Sequence, residues 1–363
     1  MKRELDRIRK KVDEGERLSD EDALELHRSR DLISIGEMAQ IANRRVNGDR
    51  VHFIVNRHIN PTNICVNRCR FCAFGKTKED RSAYTMTMEE ILLRADEARA
   101  QNATEIHIVG GLHPDLPFDF YLDMLRNLTE RHPSLHIQAF TAVEVDYFAR
   151  ISGLPLADVI SRLKSAGLGS LPGGGAEIFA PEIRKQICPE KISGDRWLEV
   201  MEAAHAAGLK SNATMLYGHM ETAESRVDHM RRLRELQDRT GGFQSFIPLA
   251  FQPKNTDIPK PSTTGVEDLT ALAVGRLYLD NFRHIKAFWI NIGPKLAQLS
   301  LYFGVDDIDG TVVEEKISHA AGATTGQEMT VDDLVAMIRR AGKIPVERDT
   351  LYNVIREWPA WSQ

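Results

Sequence analysis

From residue 50 to the end, short β-rich runs alternate with amphipathic helical stretches, and this alternation narrows the possible folds more than any other feature. The runs are VHFIVNRHI (51–59), EIHIV (105–109), LHIQAFT (135–141), GLGSLP (167–172), LKSNATM (209–215), FQSFIPL (243–249) and KAFWINIG (286–293). A weaker eighth lies at VDDIDG (305–310). Strand–helix units recurring at roughly 30–40 residues predict parallel strands joined by helical crossovers. Seven or eight of them predict a (β/α)8 barrel of the TIM type rather than an open doubly wound sheet. The helices are punctuated accordingly: Thr87-x-x-Glu90 is a capping box, and Thr330 opens VDDLVAMIRRAG, which Gly342 stops. Upstream, Ser19-Asp-Glu-Asp22 offers a capped start, and LELHRSRDLISIGEMAQIANRRV carries apolar residues at helical spacing. The expected organisation is a helical extension over residues 1–48, then a barrel with C-terminal helices over 49–363.

Composition excludes several classes of function. Hydrophobic residues make up 42% and charged residues 27% of the 363, ordinary for a globular enzyme. The net charge of −5, without a long basic run, gives no reason to expect nucleic acid. No stretch approaches the roughly 18 apolar residues of a membrane span. The charged N-terminus MKRELDRIRKKVDEGERL lacks the apolar core of a signal peptide. A cytoplasmic location is the expectation.

Three of the four cysteines crowd one loop, Cys65, Cys69 and Cys72 in NPTNICVNRCRFCAFG, with the spacing Cys-x3-Cys-x2-Cys. Three thiolates can hold three irons of a [4Fe–4S] cluster, which normally takes four, and so leave one iron open. S-adenosylmethionine could chelate that iron through its amino and carboxylate groups. Structural zinc would need a fourth ligand, for which His58 is the nearby candidate. A disulfide framework does not suit so sparse and crowded a set. Cys188 reads as a free thiol, with fourth-ligand duty as the alternative. Spacing and context make the loop similar to the signature of the radical S-adenosylmethionine superfamily.

In a barrel the loops after the strands form the active site, so each loop supplies candidates. Phe71, directly before the last cysteine, is a candidate cofactor contact. After the second strand comes Gly110-Gly111, whose exposed carbonyls would bond the methionine ammonium in that superfamily; a bare tight turn is the plainer reading. Glu144 and Glu177 stand at the third and fourth mouths, as acceptors for ribose hydroxyls or an ammonium, or simply as helix caps. The run Gly173-Gly174-Gly175 fits no nucleotide phosphate motif. His219, beside Tyr217 and Gly218, is a candidate proton shuttle or carboxylate ligand. Gln252, Lys254 and Asn291 are candidate substrate ligands, with Lys295, Thr311, Glu314 and Glu315 nearby. Of the adjacent pair Glu314 and Glu315, at most one can face the cavity.

With these residues placed, the chain resembles the radical enzymes that include the two of the futalosine menaquinone pathway and those making the deazaflavin chromophore. The resemblance spans about residues 50–340. It rests on NPTNICVNRCRFCAF, HIVGGLHPDLPFDFY, QAFTAVEVDYFA, LPGGGAEIFAPEIR, PEKISGDRWLEVMEAAHAAGL, SNATMLYGHMET and DGTVVEEKISHAAGA. LDNFRHIKAFWINIGPKLAQ and LPGGGAEIF look most like the aminofutalosine synthase family, although Gln252 stands where that family would carry histidine.

This likeness implies a [4Fe–4S] cluster on Cys65, Cys69 and Cys72 and S-adenosylmethionine consumed as cosubstrate. It implies addition of a 5′-deoxyadenosyl radical to 3-[(1-carboxyvinyl)oxy]benzoate, then rearrangement and loss of a carboxylate carbon to give 6-amino-6-deoxyfutalosine. A reducing donor such as flavodoxin or ferredoxin is implied as partner. The sibling dehypoxanthine futalosine cyclase is the alternative within the pathway. A non-radical iron–sulfur electron-transfer protein is the alternative from another class.

Overall fold

The computed structural model describes residues 2–359; Met1 and residues 360–363, the outermost ends of the two expected units, lie outside them. Eleven strands are defined: β1 Arg50–Ile54, β2 Asn56–Ile59, β3 Glu105–Ile108, β4 His136–Ala139, β5 Ser170–Leu171, β6 Lys210–Tyr217, β7 Phe243–Ala250, β8 His284–Ile285, β9 Asp307–Gly310, β10 Ile344–Arg348 and β11 Val354–Glu357. β2 to β8 form one parallel sheet in chain order. Backbone bonds carry that sheet round into a ring. The Ala287 amide donates to Asp307 O at 2.8 Å, and the Asp306 amide to Ile285 O at 3.2 Å, joining β8 to β9. β9 pairs in parallel with β1, and the His58 amide donates to Val313 O at 2.9 Å. β1 and β2 are two halves of one bent run broken at Val55, so eight strand positions surround a common centre, as the alternation predicts.

Two elements differ from the sequence reading. The seventh strand is His284–Ile285 and ends before the expected 286–293; Trp289–Ile292 is a helical turn instead. Gly293 (φ 83) and Pro294 stop that turn and start the next helix, and Trp289 Nε1 donates to Gly310 O at 2.9 Å. A short buried apolar run satisfies strand and helix patterns alike, and only its packing decides. After helix Val331–Arg340 the chain closes with strands rather than further helices: β10 runs parallel to β1 outside the ring, and β11 folds back antiparallel.

The first residues form helices Lys2–Glu14, Asp20–Arg28 and Leu32–Asn47. The Ser19–Asp22 capping box is made from both sides, and the Asp22 carboxylate, fully buried, is met by Lys11 at 2.6 Å and Arg7 at 2.8 Å. These helices lie against the side of the barrel on helices Ala223–Thr240 and Gly265–Tyr278. Arg234 Nη1 reaches Leu18 O at 2.9 Å, and Arg17 reaches Asp238 at 2.7 Å. Ile8, Leu26, Ile35 and Met38 are buried in the same apolar core as the barrel helices; each contributes about 1.5–3 kcal/mol of burial. No helix among the described residues is long and apolar enough to cross a membrane.

Candidate active site

The C-terminal ends of the strands open into one cavity of about 460 Å³, large enough for a small organic ligand. The cysteine loop follows β2 and is laid down by backbone bonds. The Cys65 amide donates to Lys76 O at 3.0 Å, the Val66 amide to Leu112 O at 3.0 Å, and the Arg70 amide to Ile187 O at 2.8 Å. Gly111 makes the close approach possible, because a Cβ there would lie 2.2 Å from Ile64 O. Cys65, Cys69 and Cys72 are free, half-buried and all line the cavity.

Burial pushes the Cys69 thiol up to about 12, with Lys191 pulling against it, and pushes Cys72 up as well. Without metal these sulfurs keep their protons, and coordination must displace them. Three soft sulfur donors facing one cavity suit iron–sulfur ligation. They are not drawn into a set lying within 4.8 Å of one another, as His52, His284 and Asp306 are, and a single zinc with Zn–S bonds of about 2.3 Å needs such a set. Cys188 is buried and stands outside the cavity lining. The donor set therefore fits a cluster with one open iron.

Gly110, Glu144, Glu177 and Phe71 all line the cavity. Glu144 is the N3 member of the capping box opening helix Ala142–Ser152: its Oε2 accepts from the Thr141 amide at 2.7 Å and hydroxyl at 2.8 Å. Its Oε1 accepts from the Gly110 amide at 3.1 Å, which ties the glycine turn to the next mouth. Burial pushes this carboxyl up to about 7 despite those bonds. Glu177 holds a left-handed φ of 49 and receives Lys191 Nζ at 2.5 Å. That ammonium also sits 5.0 Å from the centre of the Phe71 ring. The sequence reading gave no role to Lys191, which sits in the run PEKIS and reaches the site only through folding. The glycine run is explained by contact, since a Cβ on Gly173 would lie 2.6 Å from Asn212 O.

Five of the residues named from the sequence are not brought to the cavity: His219, Lys254, Lys295, Thr311 and Glu314. The chain turns at Gly218 (φ 89) and folds His219 back, so that its Nε2 lies 3.0 Å from Leu216 O and its Nδ1 3.4 Å from Glu221. Burial lowers the pKa of this imidazole, and it stands outside the lining. Lys254 is exposed, outside the lining, and packs beside Gly322. Gln252 and Asn291 do line it, joined by Gln252 Nε2 donating to Asn291 O at 3.0 Å. Glu315 faces the cavity, whereas Glu314 turns outward to Arg57 at 3.0 Å. Thr311 is a buried structural hydroxyl, bonded to Asn56 O at 2.7 Å, and Lys295 is exposed.

The barrel wall adds polar residues that the sequence reading passed over as strand. His58, His107 and Gln138 stand in register on β2, β3 and β4. The two imidazoles stack with centroids 4.5 Å apart and planes 12° from parallel, and His107 Nδ1 lies 3.1 Å from Gln138 Oε1. Lys286, one residue past β8, pairs with Asp309 of β9 at 2.9 Å. The available signal was the polar character of alternate positions in otherwise apolar runs.

The Radical SAM superfamily model matches residues 59–233, and the CofH/MqnC C-terminal region model matches residues 240–361. The chain is 47% identical to the aminodeoxyfutalosine synthase of Thermus thermophilus, over 97% of this chain and 96% of that one. It is 45% identical to the enzyme of the same name from Streptomyces coelicolor, over 99% and 95%. Against the 5-amino-6-(D-ribitylamino)uracil--L-tyrosine 4-hydroxyphenyl transferase of Methanopyrus kandleri identity is 43%, over 95% and 94%. Among solved structures, methylornithine synthase superposes with a TM-score of 0.74 at 18% identity, covering 93% of this chain and 97% of that one, a likeness of fold. The chain therefore belongs to the radical SAM superfamily, in the branch that holds the aminodeoxyfutalosine synthases.

Proposed function

We propose that this chain is an aminodeoxyfutalosine synthase, joining the adenosyl part of S-adenosylmethionine to 3-[(1-carboxyvinyl)oxy]benzoate with loss of one carboxylate carbon, in menaquinone biosynthesis. The observation that carries this reading is near-full-length identity of 47% and 45% to two synthases, in a chain whose cysteine loop opens on the cavity at the strand ends. When bound, the [4Fe–4S] cluster and S-adenosylmethionine supply the adenosyl radical, and the protein supplies position and exclusion of water.

In this reading Cys65, Cys69 and Cys72 hold the cluster. Phe71, Gly110, Gly111, Glu144 and Glu177 surround S-adenosylmethionine. Glu144, fixed by Thr141 and Gly110, offers an acceptor that stays in place without reorganising. Lys191 holds Glu177 in place beside the cysteine loop. Gln252 and Asn291 border the substrate at the rim. A cytoplasmic location and an electron donor such as flavodoxin or ferredoxin belong to the same proposal, as does a helical extension over residues 1–48 bracing a barrel over 49–363.

The test is anaerobic reconstitution with iron and sulfide, then S-adenosylmethionine, dithionite and the enol-ether benzoate, with products identified by mass spectrometry. A product carrying both adenosine and benzoate establishes the synthase. Release of 5′-deoxyadenosine without such a product sinks it and points to the cyclase chemistry of the sibling enzyme.

A further inference from the structure

Barrels of this kind usually fill their interior with branched apolar side chains, but here one wall is polar. Lys286 and Asp309 are both buried in it, ion-paired at 2.9 Å, and both line the cavity. Asp309 holds a left-handed φ of 62, a conformation that persists only where surrounding structure imposes it. An ammonium has three donors, and Asp309 takes one; among the described residues Lys286 Nζ has no second protein acceptor. A buried cation with open donors is costly unless something meets them.

Beside it, the stacked pair His58 and His107 presents flat faces and ring nitrogens. Burial holds the pKa of each below the ordinary imidazole range, so they add no charge at neutral pH. Three lining residues are lysine or arginine: Arg68, Lys191 and Lys286. Arg68 donates to the carbonyls of Cys65 and Asn67, and Lys191 is committed to Glu177 beside the cysteine loop. Lys286 is the cation left to face a ligand from the barrel wall.

We propose that Lys286 Nζ seats the ring carboxylate of the aromatic substrate, with Asp309 positioning the ammonium and the His58–His107 pair lying against the ring. The assignment rests on the synthase reading for its substrate. The ring carboxylate survives into the product, whereas the enol-ether carboxylate loses its carbon. A cation held tightly to the departing group would stabilise the ground state against the reaction, whereas the surviving group can be anchored throughout.

The experiment measures equilibrium binding to the cluster-loaded, S-adenosylmethionine-bound protein. The probes are the dicarboxylate, its ring carboxamide, and the amide of the enol-ether carboxylate. Wild type should prefer the acid over the ring carboxamide by about 10–100-fold, the span of a charge-assisted hydrogen bond. Lys286→Gln should weaken the acid by that factor and bind acid and ring carboxamide alike, and Lys286→Arg should keep the preference. Equal binding of acid and ring carboxamide by wild type overturns the proposal whether or not Lys286→Gln folds. A preference surviving in Lys286→Gln, or lost only for the enol-ether amide, also overturns it. If wild type builds no adenosine–benzoate product yet shows the Lys286-dependent preference, the synthase reading fails and the carboxylate seat stands.

Discussion

The backbone of Gly111 lies against the carbonyl of Ile64 so closely that a Cβ would stand 2.2 Å from the oxygen. This contact, with the Gly111 amide donating to Thr62 O at 2.9 Å, presses the end of β3 onto the cysteine loop. The glycine pair is therefore a seat for the loop as well as a wall of the cavity.

Gly111→Ala should push the loop away from β3. Overpacking of this kind costs about 1–3 kcal/mol. Iron bound per chain after reconstitution should fall by at least half while far-ultraviolet circular dichroism stays unchanged. Full iron loading in the variant would refute this role.

Cys65→Ala, Cys69→Ala and Cys72→Ala should each abolish stable cluster loading, measured as iron and sulfide content. Cys188→Ala, altering a buried thiol outside the cavity lining, should retain it. Loss of cluster in Cys188→Ala would instead assign that cysteine as a fourth ligand.

Burial raises the Glu144 carboxyl to about 7, above its unfolded value of about 4.3. The folded protein then binds this proton more tightly than the unfolded chain, so the group lowers stability as pH climbs between those values. The penalty is absent below pH ~4 and complete above pH ~7, amounting to about 4 kcal/mol. Glu144→Gln removes it while keeping a side-chain acceptor for the cap. Denaturant unfolding at pH 4, 6 and 8 should show the variant gaining on wild type with rising pH; a constant difference would disprove the shift.

Lys191 and Glu177 form a largely buried pair. Removing one partner strands the other charge, at about 3 kcal/mol. Lys191→Met should show that loss in chemical unfolding, and Lys191→Met with Glu177→Gln should recover most of it. Additive losses in the double variant would mean the two residues act independently.

His219 faces away from the cavity and bonds the Leu216 carbonyl. His219→Phe should leave substrate affinity within about twofold while lowering stability by about 1–3 kcal/mol, the cost of an unmet buried carbonyl. Binding titrations paired with thermal unfolding separate the two effects. A large loss of affinity with unchanged stability would return His219 to the site.

Strands with clear alternation or strong β-branching were legible to within two residues, as at β3 and β7. KAFWINIG was not, because its apolar run fits a buried strand and a buried helical turn equally well. The packing of Trp289 onto Gly310 and the stop at Gly293 selected the turn. At the site, Gly110, Glu144 and Glu177 were legible as mouth positions once the barrel was assumed. His219 stands outside the cavity lining, because one positive-φ glycine reverses the chain just after β6.

Determined by the sequence alone were the elements whose parts are neighbours along the chain: the strand–helix alternation, the capping boxes, and the cysteine spacing that keeps three sulfurs on one loop. Decided only by tertiary structure were the groupings that draw on distant strands. Lys286 and Asp309 meet His58 and His107 because β8 and β9 close the ring onto β1 and β2, bringing together residues from opposite ends of the barrel sequence. Local propensity acts over a few residues, whereas ring closure depends on burying the whole core at once. Which polar side chains share a wall is therefore settled only when the barrel shuts.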